Sequence, residues 1–271
     1  MVQKEEMYCF DLDGTILNSH KEIGKEDVLS LRELCNNRKY VLLNSGRAFF
    51  RLEKYISTIG LNPYHFIVCC DFGNYIYDFS RKTILYEQYL QVDVLRYIIK
   101  YFEENDKCII LMETANSTFT NRIIDNYSQK RITELHLKKT DLSNLIHLEK
   151  ILKVCIITES DEIDNFITSF EREGNQCNLH RRYSNNLEIY GTNTKGLGVK
   201  FVSEELGINK DNIIYFGNDI TDFTALDYVG SLVVTANADD ELKKVSNYVT
   251  ASNDENPLTT YLKEIVLSFT K

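Results

Sequence analysis

The sequence predicts an α/β layered fold with a parallel core sheet and an α+β segment inserted into it. Two observations carry this. Short apolar runs at Met7–Phe10, Tyr40–Leu43, Phe66–Cys70, Ile213–Phe216 and Leu232–Val234 are mostly closed by Asp, Asn or Gly, the pattern of strands buried on both faces of a parallel sheet. Amphipathic stretches separate them, and strand–helix alternation folds into layers through right-handed crossovers.

Taken in order, Val28, Leu31 and Leu34/Cys35 give a helix between the first two strands. Tyr75–Asp78 and Thr83–Tyr86 predict a hairpin across residues 79–82. Val92, Leu95, Ile98/Ile99 and Phe102 share one helical face, and runs at Cys108–Met112 and Val154–Ile157 read as strands. Ile163, Phe166, Ile167 and Phe170 keep the i, i+3, i+4, i+7 spacing of a second helix. Asn178–Tyr183 and Asn186–Tyr190 look like a strand pair, which makes the middle of the chain a separate α+β region. Val199, Val202 and Leu206 then give a helix that Gly207 stops.

The 271 residues carry 31 Lys+Arg and 40 Asp+Glu, a net charge of −9. That balance argues against nucleic acid as the main partner. No apolar run approaches the roughly 18 residues that span a bilayer, and the start, MVQKEEMYCFDLDG, turns acidic before a signal sequence forms. A cytoplasmic chain with no membrane partner is expected. The seven cysteines lie mostly in apolar runs without CxxC spacing, as reduced buried thiols do.

Four segments carry chemistry. In Phe10-Asp11-Leu12-Asp13-Gly14-Thr15, two carboxylates two residues apart leave the first strand on one side, where α/β sheets bind ligands. Such a pair needs a cation or a shared proton, so it marks either a Mg²⁺ site or a nucleophile beside an acid/base; a solvated turn is the plain alternative. Asn44-Ser45-Gly46-Arg47 offers a hydroxyl and backbone amides for phosphate oxygens, or merely a helix cap. Thr194-Lys195-Gly196 precedes a helix and supplies a point charge. Gly217-Asn218-Asp219-Ile220-Thr221-Asp222 offers hard oxygen ligands of the kind Mg²⁺ takes, or an acidic turn.

In kind and order these motifs resemble the haloacid dehalogenase superfamily, and more narrowly its Cof-type phosphatases with a large α/β cap. Asn18-Ser19 with Glu22-Ile23, Ile76-Tyr77-Asp78, Leu187-Glu188-Ile189, and the Val233–Ala238 and Val249–Asn253 segments extend the likeness along most of the chain. The resemblance implies a Rossmann-like three-layered core from residues 1–83 and 190–271, with a cap inserted at 84–189. It implies a phosphatase of small phosphorylated metabolites, such as a sugar phosphate or phosphorylated cofactor, acting as monomer or homodimer. Asp11 would be the nucleophile that forms an aspartyl-phosphate, and Asp13 the acid/base. Ser45, Gly46 and Lys195 would hold the phosphoryl group. Mg²⁺ would be bound by Asp11, Asp13 through its carbonyl, and Asn218, Asp219 and Asp222.

The fourth motif departs from the family's Gly-Asp-x-x-Asn-Asp: Asn218 stands for a carboxylate and Thr221 for the asparagine. Asp71-Phe72-Gly73-Asn74 replaces the frequent Asn-Gly-Ala, reading chiefly as a turn. Arg47 and, in the cap, Glu113, Asn116, Arg122, His180, Arg181, Arg182 and Tyr183 are candidates for substrate contact, Arg181 and Arg182 for a second anion; surface roles compete for each. A sugar-phosphate phosphomutase and a catalytically impaired sugar-phosphate sensor are the alternatives to the phosphatase.

Overall fold

The computed structural model describes residues 5–60, 65–122, 133–147 and 149–269, with the side chains of 266–269 left out. The chain divides into two compact units: one of residues up to Arg47, Leu52–Tyr86 and Thr194 onward, the other of Ala48–Arg51 and Glu87–Asn193.

The first unit begins with β1 (Met7–Phe10), α1 (Lys25–Asn36), β2 (Tyr40–Asn44), α2 (Glu53–Ile59), β3 (Phe66–Cys70), β4 (Tyr75–Asp78) and β5 (Thr83–Glu87). The second unit contributes α3 (Val92–Tyr101), β6 (Ile109–Glu113), β7 (Thr118–Thr120), β8 (Leu137–Lys139), α4 (Leu142–Leu145), β9 (Lys153–Ile157), α5 (Ser160–Arg172), β10 (Asn178–Tyr183) and β11 (Asn186–Tyr190). The first unit closes with α6 (Lys195–Leu206), β12 (Ile213–Gly217), β13 (Ser231–Val234), α7 (Asp240–Val245), β14 (Tyr248–Val249) and α8 (Pro257–Phe269).

The first unit holds one sheet in the order β14-β13-β12-β1-β2-β3-β4-β5. It is parallel from β14 to β3, and β4 turns back antiparallel on β3. β1 is buried at all four positions, β3 at all five, so each packs helices on both faces, as its unbroken apolar run foretells. Met7, Cys9, Leu42, Ile67, Val199, Val202 and Tyr215 share one core cluster. The N-terminus of α8 is held by Asp27 of α1, whose carboxylate accepts from the Thr259 amide at 2.9 Å and its hydroxyl at 2.8 Å. Gly207, at φ +69°, ends α6 in the left-handed region that suits glycine.

The second unit folds as a sheet in the order β10-β11-β9-β6-β7-β8. Its core gathers Ile110, Met112, Val154, Ile156, Leu187 and Ile189 from alternate strand positions with Leu95, Ile98, Phe166 and Phe170 of α3 and α5. By alternation, Glu113, Lys153 and Glu188 leave the same strands on the opposite side. The two helices and the strand pair fall where the periodicity predicts.

Candidate active site

Since β12, β1 and β2 are neighbours in parallel register, Asp11, Ser45 and Asn218 leave the carboxyl end of the sheet side by side. Lys195 reaches this end as the first residue of α6. Asn44 Nδ2 donates to the Lys195 carbonyl oxygen at 2.9 Å. Gly196 lets the helix press in: a Cβ there would stand 1.7 Å from the Thr224 carbonyl oxygen.

The Lys195 ammonium donates to Asp11 Oδ1 at 2.7 Å and to Asp222 Oδ1 at 2.8 Å, with all three residues buried. Burial, with Asp222 and Asp13, outweighs the pull of Lys195 and raises the Asp11 carboxyl to about 7. Burial works against the Lys195 charge, but the two carboxylates outweigh it and hold the ammonium well above the usual lysine range.

Asp222 does not fit the metal role that its motif suggests. Its Oδ1 also accepts from the Tyr215 hydroxyl at 2.8 Å, and its Oδ2 from the amides of Asn218 at 2.9 Å and Asp219 at 3.0 Å. With both oxygens twice occupied and the residue fully buried, it fixes Lys195 and the loop rather than facing a ligand. Asp219 caps the 3-10 helix Ile220–Tyr228: its Oδ1 accepts from the Thr221 amide at 2.9 Å, and it completes a reciprocal capping box with Asp222.

Asn218 points into the site. The Thr15 hydroxyl donates to Asp11 Oδ2 at 3.1 Å, and the Asp13 carbonyl oxygen can only accept. The amide orientation that satisfies all of these directs the Asn218 nitrogen at Asp11 Oδ2 (3.1 Å), Thr15 Oγ1 (2.8 Å) and the Asp13 carbonyl (3.0 Å). Asp11 Oδ2 and the Asp13 carbonyl thus flank the Asn218 amide, and with its oxygen turned toward them the three would form a donor set that suits Mg²⁺ in kind, with a single carboxylate in it. Gly14, at φ +84°, makes room: a Cβ would lie 2.6 Å from the Asn218 amide. Asn237 Nδ2 holds the Gly14 carbonyl at 2.8 Å.

Asp13 is clamped. Arg47 grips it bidentately, Nε to Oδ2 and Nη2 to Oδ1, both at 2.6 Å, and Lys21 Nζ adds 2.8 Å to Oδ1. Burial alone would raise this carboxyl, yet the Arg47 and Lys21 hydrogen bonds and charges hold it well below the usual carboxylate range. Arg47 is itself steadied by the Tyr55 hydroxyl at 3.1 Å. The Ser45–Arg47 loop is fastened through its backbone: the Ser45 amide donates to Cys69 (2.8 Å), Phe72 to Ser45 (3.2 Å) and Asp71 to Arg47 (3.1 Å). The Asp71-Phe72 turn thus anchors the loop.

The motifs thus bring Asp11, Lys195, Asp222 and Asn218 into direct contact, and Asp13 with Arg47. Lys21, Tyr55 and Tyr215 escape sequence reasoning. Lys21 and Tyr55 sit in no recognisable spacing; Tyr215 shares a strand side with Gly217, a period-two signal that an apolar run hides.

The second unit's candidates part company. Arg181 binds Asp164, the Ser160 hydroxyl (2.7 Å) and the Ser184 carbonyl (2.8 Å). It lies opposite Leu187, on the helix-covered side of the strands. Arg182 sits on the other side, 3.9 Å from Glu188 Oε1, so the expected Arg181–Arg182 pair for one anion does not form. Glu113, at 3.0 Å from Lys153 and 3.2 Å from Arg51, belongs to a buried ion cluster; burial would raise it, but these cations hold it below its usual range. Lys153 escapes notice in the sequence because only the β6–β9 register sets it against Glu113. The Asn116 carbonyl oxygen lies 3.1 Å from His136 Nδ1. Arg122 lies 4.0 Å from Asp106, and Tyr183 is exposed.

Comparison with known proteins agrees with this fold. The family profile of haloacid dehalogenase-like hydrolases matches residues 8–262. The chain is 23% identical to the 5-amino-6-(5-phospho-D-ribitylamino)uracil phosphatase YitU of Bacillus subtilis, over 97% of this chain and 98% of that one. It is 22% identical to the pyridoxal phosphate phosphatase YbhA of Escherichia coli, over 94% and 96%. A crystal structure of a haloacid dehalogenase-like hydrolase from Bacteroides thetaiotaomicron superposes with a TM-score of 0.88 at 23% identity, covering 97% of this chain and all of that one. A profile that spans nearly the whole chain, and a fold that matches from end to end, make this protein a member of the haloacid dehalogenase-like hydrolases.

Proposed function

We propose that the protein is a Mg²⁺-dependent phosphatase of small phosphorylated metabolites, with Asp11 as nucleophile and the 84–189 segment as its cap. The observation that carries this reading is the buried Lys195 ammonium bridging Asp11 and Asp222 at the sheet's carboxyl end. It holds Asp11 Oδ1 in place and sets a fixed positive charge where phosphoryl oxygens would arrive.

Asp11 attacks phosphorus in line, forming an O–P bond as the ester O–P bond breaks, and the leaving alkoxide takes a proton from Asp13. Water then attacks the aspartyl-phosphate, giving its proton back to Asp13 and releasing phosphate. The clamped Asp13 is ionised, the form that suits the second half. For the first half Arg47 must turn away, and an incoming phosphate dianion is the natural competitor for its guanidinium. Ser45 and the Gly46 backbone stand beside Asp11 to receive phosphoryl oxygens. Asp11 Oδ2, the Asp13 carbonyl and, with its amide turned, the Asn218 oxygen would hold Mg²⁺, which would supply positive charge against the repulsion between carboxylate and phosphate. The protein's share is position and electrostatics.

The phosphatase activities named for the two enzyme relatives are compatible with substrates of this class. The test is phosphate release from p-nitrophenyl phosphate with Mg²⁺ and with EDTA, for wild type and Asp11→Asn. Metal-dependent turnover lost in the variant is expected; a folded wild type with no turnover on this or a panel of phosphorylated metabolites would point to the sensor instead.

A further inference from the structure

Asn218 sits where the family pattern has a carboxylate, and its amide is not idle. The nitrogen hydrogen-bonds the two oxygens, Asp11 Oδ2 and the Asp13 carbonyl, that a divalent cation would take. Without a cation the two amide hydrogens are shared among these acceptors and Thr15 Oγ1, and Asp11 is held at both oxygens, by Lys195 on Oδ1 and by Thr15 and Asn218 on Oδ2. For a cation to enter, the amide must give up those bonds and turn its oxygen inward. The cation then gains a neutral ligand where a carboxylate would bring a charge.

The charge balance points the same way. Asp222 has no oxygen to spare, and Asp219 Oδ1 is engaged in a helix cap. Among the described residues no three His, Cys, Asp or Glu side chains converge on a metal position. With Asp11 ionised, Asp11 and Asp222 share the single charge of Lys195, which leaves one net negative charge in this buried group. A divalent cation alone would turn that into a net positive charge away from water, a costly state. A phosphate dianion arriving with it removes the excess. Binding free energies linked in this way are reciprocal: each ligand tightens the other.

We infer that Asn218 makes cation binding conditional on phosphate: the protein holds its divalent cation weakly when alone and tightly once a phosphoryl group occupies the site. This rests on the phosphoryl-transfer reading of the site and concerns its regulation. In physical terms the cation behaves as a second substrate, and the amide as its placeholder between turnovers.

The test reads metal directly. Mn²⁺ is titrated into the purified protein and free Mn²⁺ followed by electron paramagnetic resonance, without and with inorganic phosphate, against protein-free blanks. For wild type we expect phosphate to tighten Mn²⁺ binding at least tenfold. Asn218→Asp should bind Mn²⁺ at least tenfold more tightly than wild type in the absence of phosphate, and show a smaller phosphate effect. Asp219→Asn should stay within about threefold of wild type. Equal Mn²⁺ affinity with and without phosphate in wild type would overturn the inference, as would a tenfold loss in Asp219→Asn, which would make Asp219 the missing ligand. Circular dichroism checks that each variant is folded; should Asn218→Asp not fold, the wild-type comparison alone decides. Turnover of p-nitrophenyl phosphate is measured separately. Phosphate-coupled Mn²⁺ binding in an inactive protein upholds this inference while the phosphatase reading falls; phosphate-independent binding in an active enzyme does the reverse.

Discussion

The Phe72 ring lies against Gly46, its nearest carbon 2.4 Å from the place where a Cβ on that glycine would stand. Phe72 has little room to turn away, for it is buried, and its amide is tied to the Ser45 carbonyl. Gly46→Ala should therefore displace the Ser45–Arg47 loop. We expect kcat/KM for p-nitrophenyl phosphate to fall at least tenfold, with partial recovery in the Gly46→Ala/Phe72→Ala double variant. A Gly46→Ala enzyme of undiminished activity would show that the loop does not hold the phosphoryl group.

Lys195→Met removes the positive charge that bridges two buried carboxylates, Asp11 and Asp222. Breaking a buried ion pair on one side costs about 3–5 kcal/mol. Urea denaturation at pH 8 should show a loss of that order, and activity should disappear. Near pH 5 the loss should shrink, because one of the carboxylates can take a proton.

The metal-free protein should show a pH signature of Asp11. Its carboxyl is raised by burial from 3.8 to about 7 in the folded chain, so the folded state binds that proton more tightly than the unfolded one. Its contribution to stability is full below pH 3.8 and is lost as pH rises through about 7. In EDTA, the urea midpoint of wild type minus that of Asp11→Asn should fall across this window. Asp13, held low by Arg47 and Lys21, works in the opposite sense: its contribution is present above its unfolded value and fades in stronger acid. A difference that rises from pH 4 to 7 would refute the assignment to Asp11.

Six of the seven thiols are buried, Cys177 being the half-buried one. Burial pushes Cys35, Cys69, Cys108 and Cys155 up to about 12, which leaves almost no thiolate at neutral pH. Native protein should release about one equivalent of thionitrobenzoate from Ellman's reagent quickly, and seven after unfolding.

The strands were legible because burial on both faces leaves an uninterrupted apolar run, and the helices because their periodicity survives in Val92–Phe102 and Ile163–Phe170. Asp11, Ser45 and Asn218 could be placed at one end of the sheet because each follows such a run. What the chain order hides is competition for a side chain. Nothing in the spacing tells that Tyr215 and two amides take up Asp222, or that Asp164 draws Arg181 to the helix side of its strand. Lys153 and Glu113 meet through a register forty residues apart in sequence, and the orientation of the Asn218 amide depends on which of its neighbours can donate.

The pairing of Met7 with Ile213 and of Phe10 with Phe216 has a consequence for biosynthesis. A ribosome delivers β1 and, soon after, β2 on one side of it, yet β12 on its other side only some two hundred residues later, after all of the inserted unit has emerged. Contacts of such long sequence separation form late, whereas the strands of the inserted unit are contiguous and can pair as soon as they are made. Lys195, Asn218 and Asp222 all follow the inserted unit, so a nascent chain that has not passed them carries Asp11 without the ammonium and the amide that hold it, whereas Asp13 already has Arg47 and Lys21. Of the acidic pair, Asp11 gains its setting only after the inserted unit has been made.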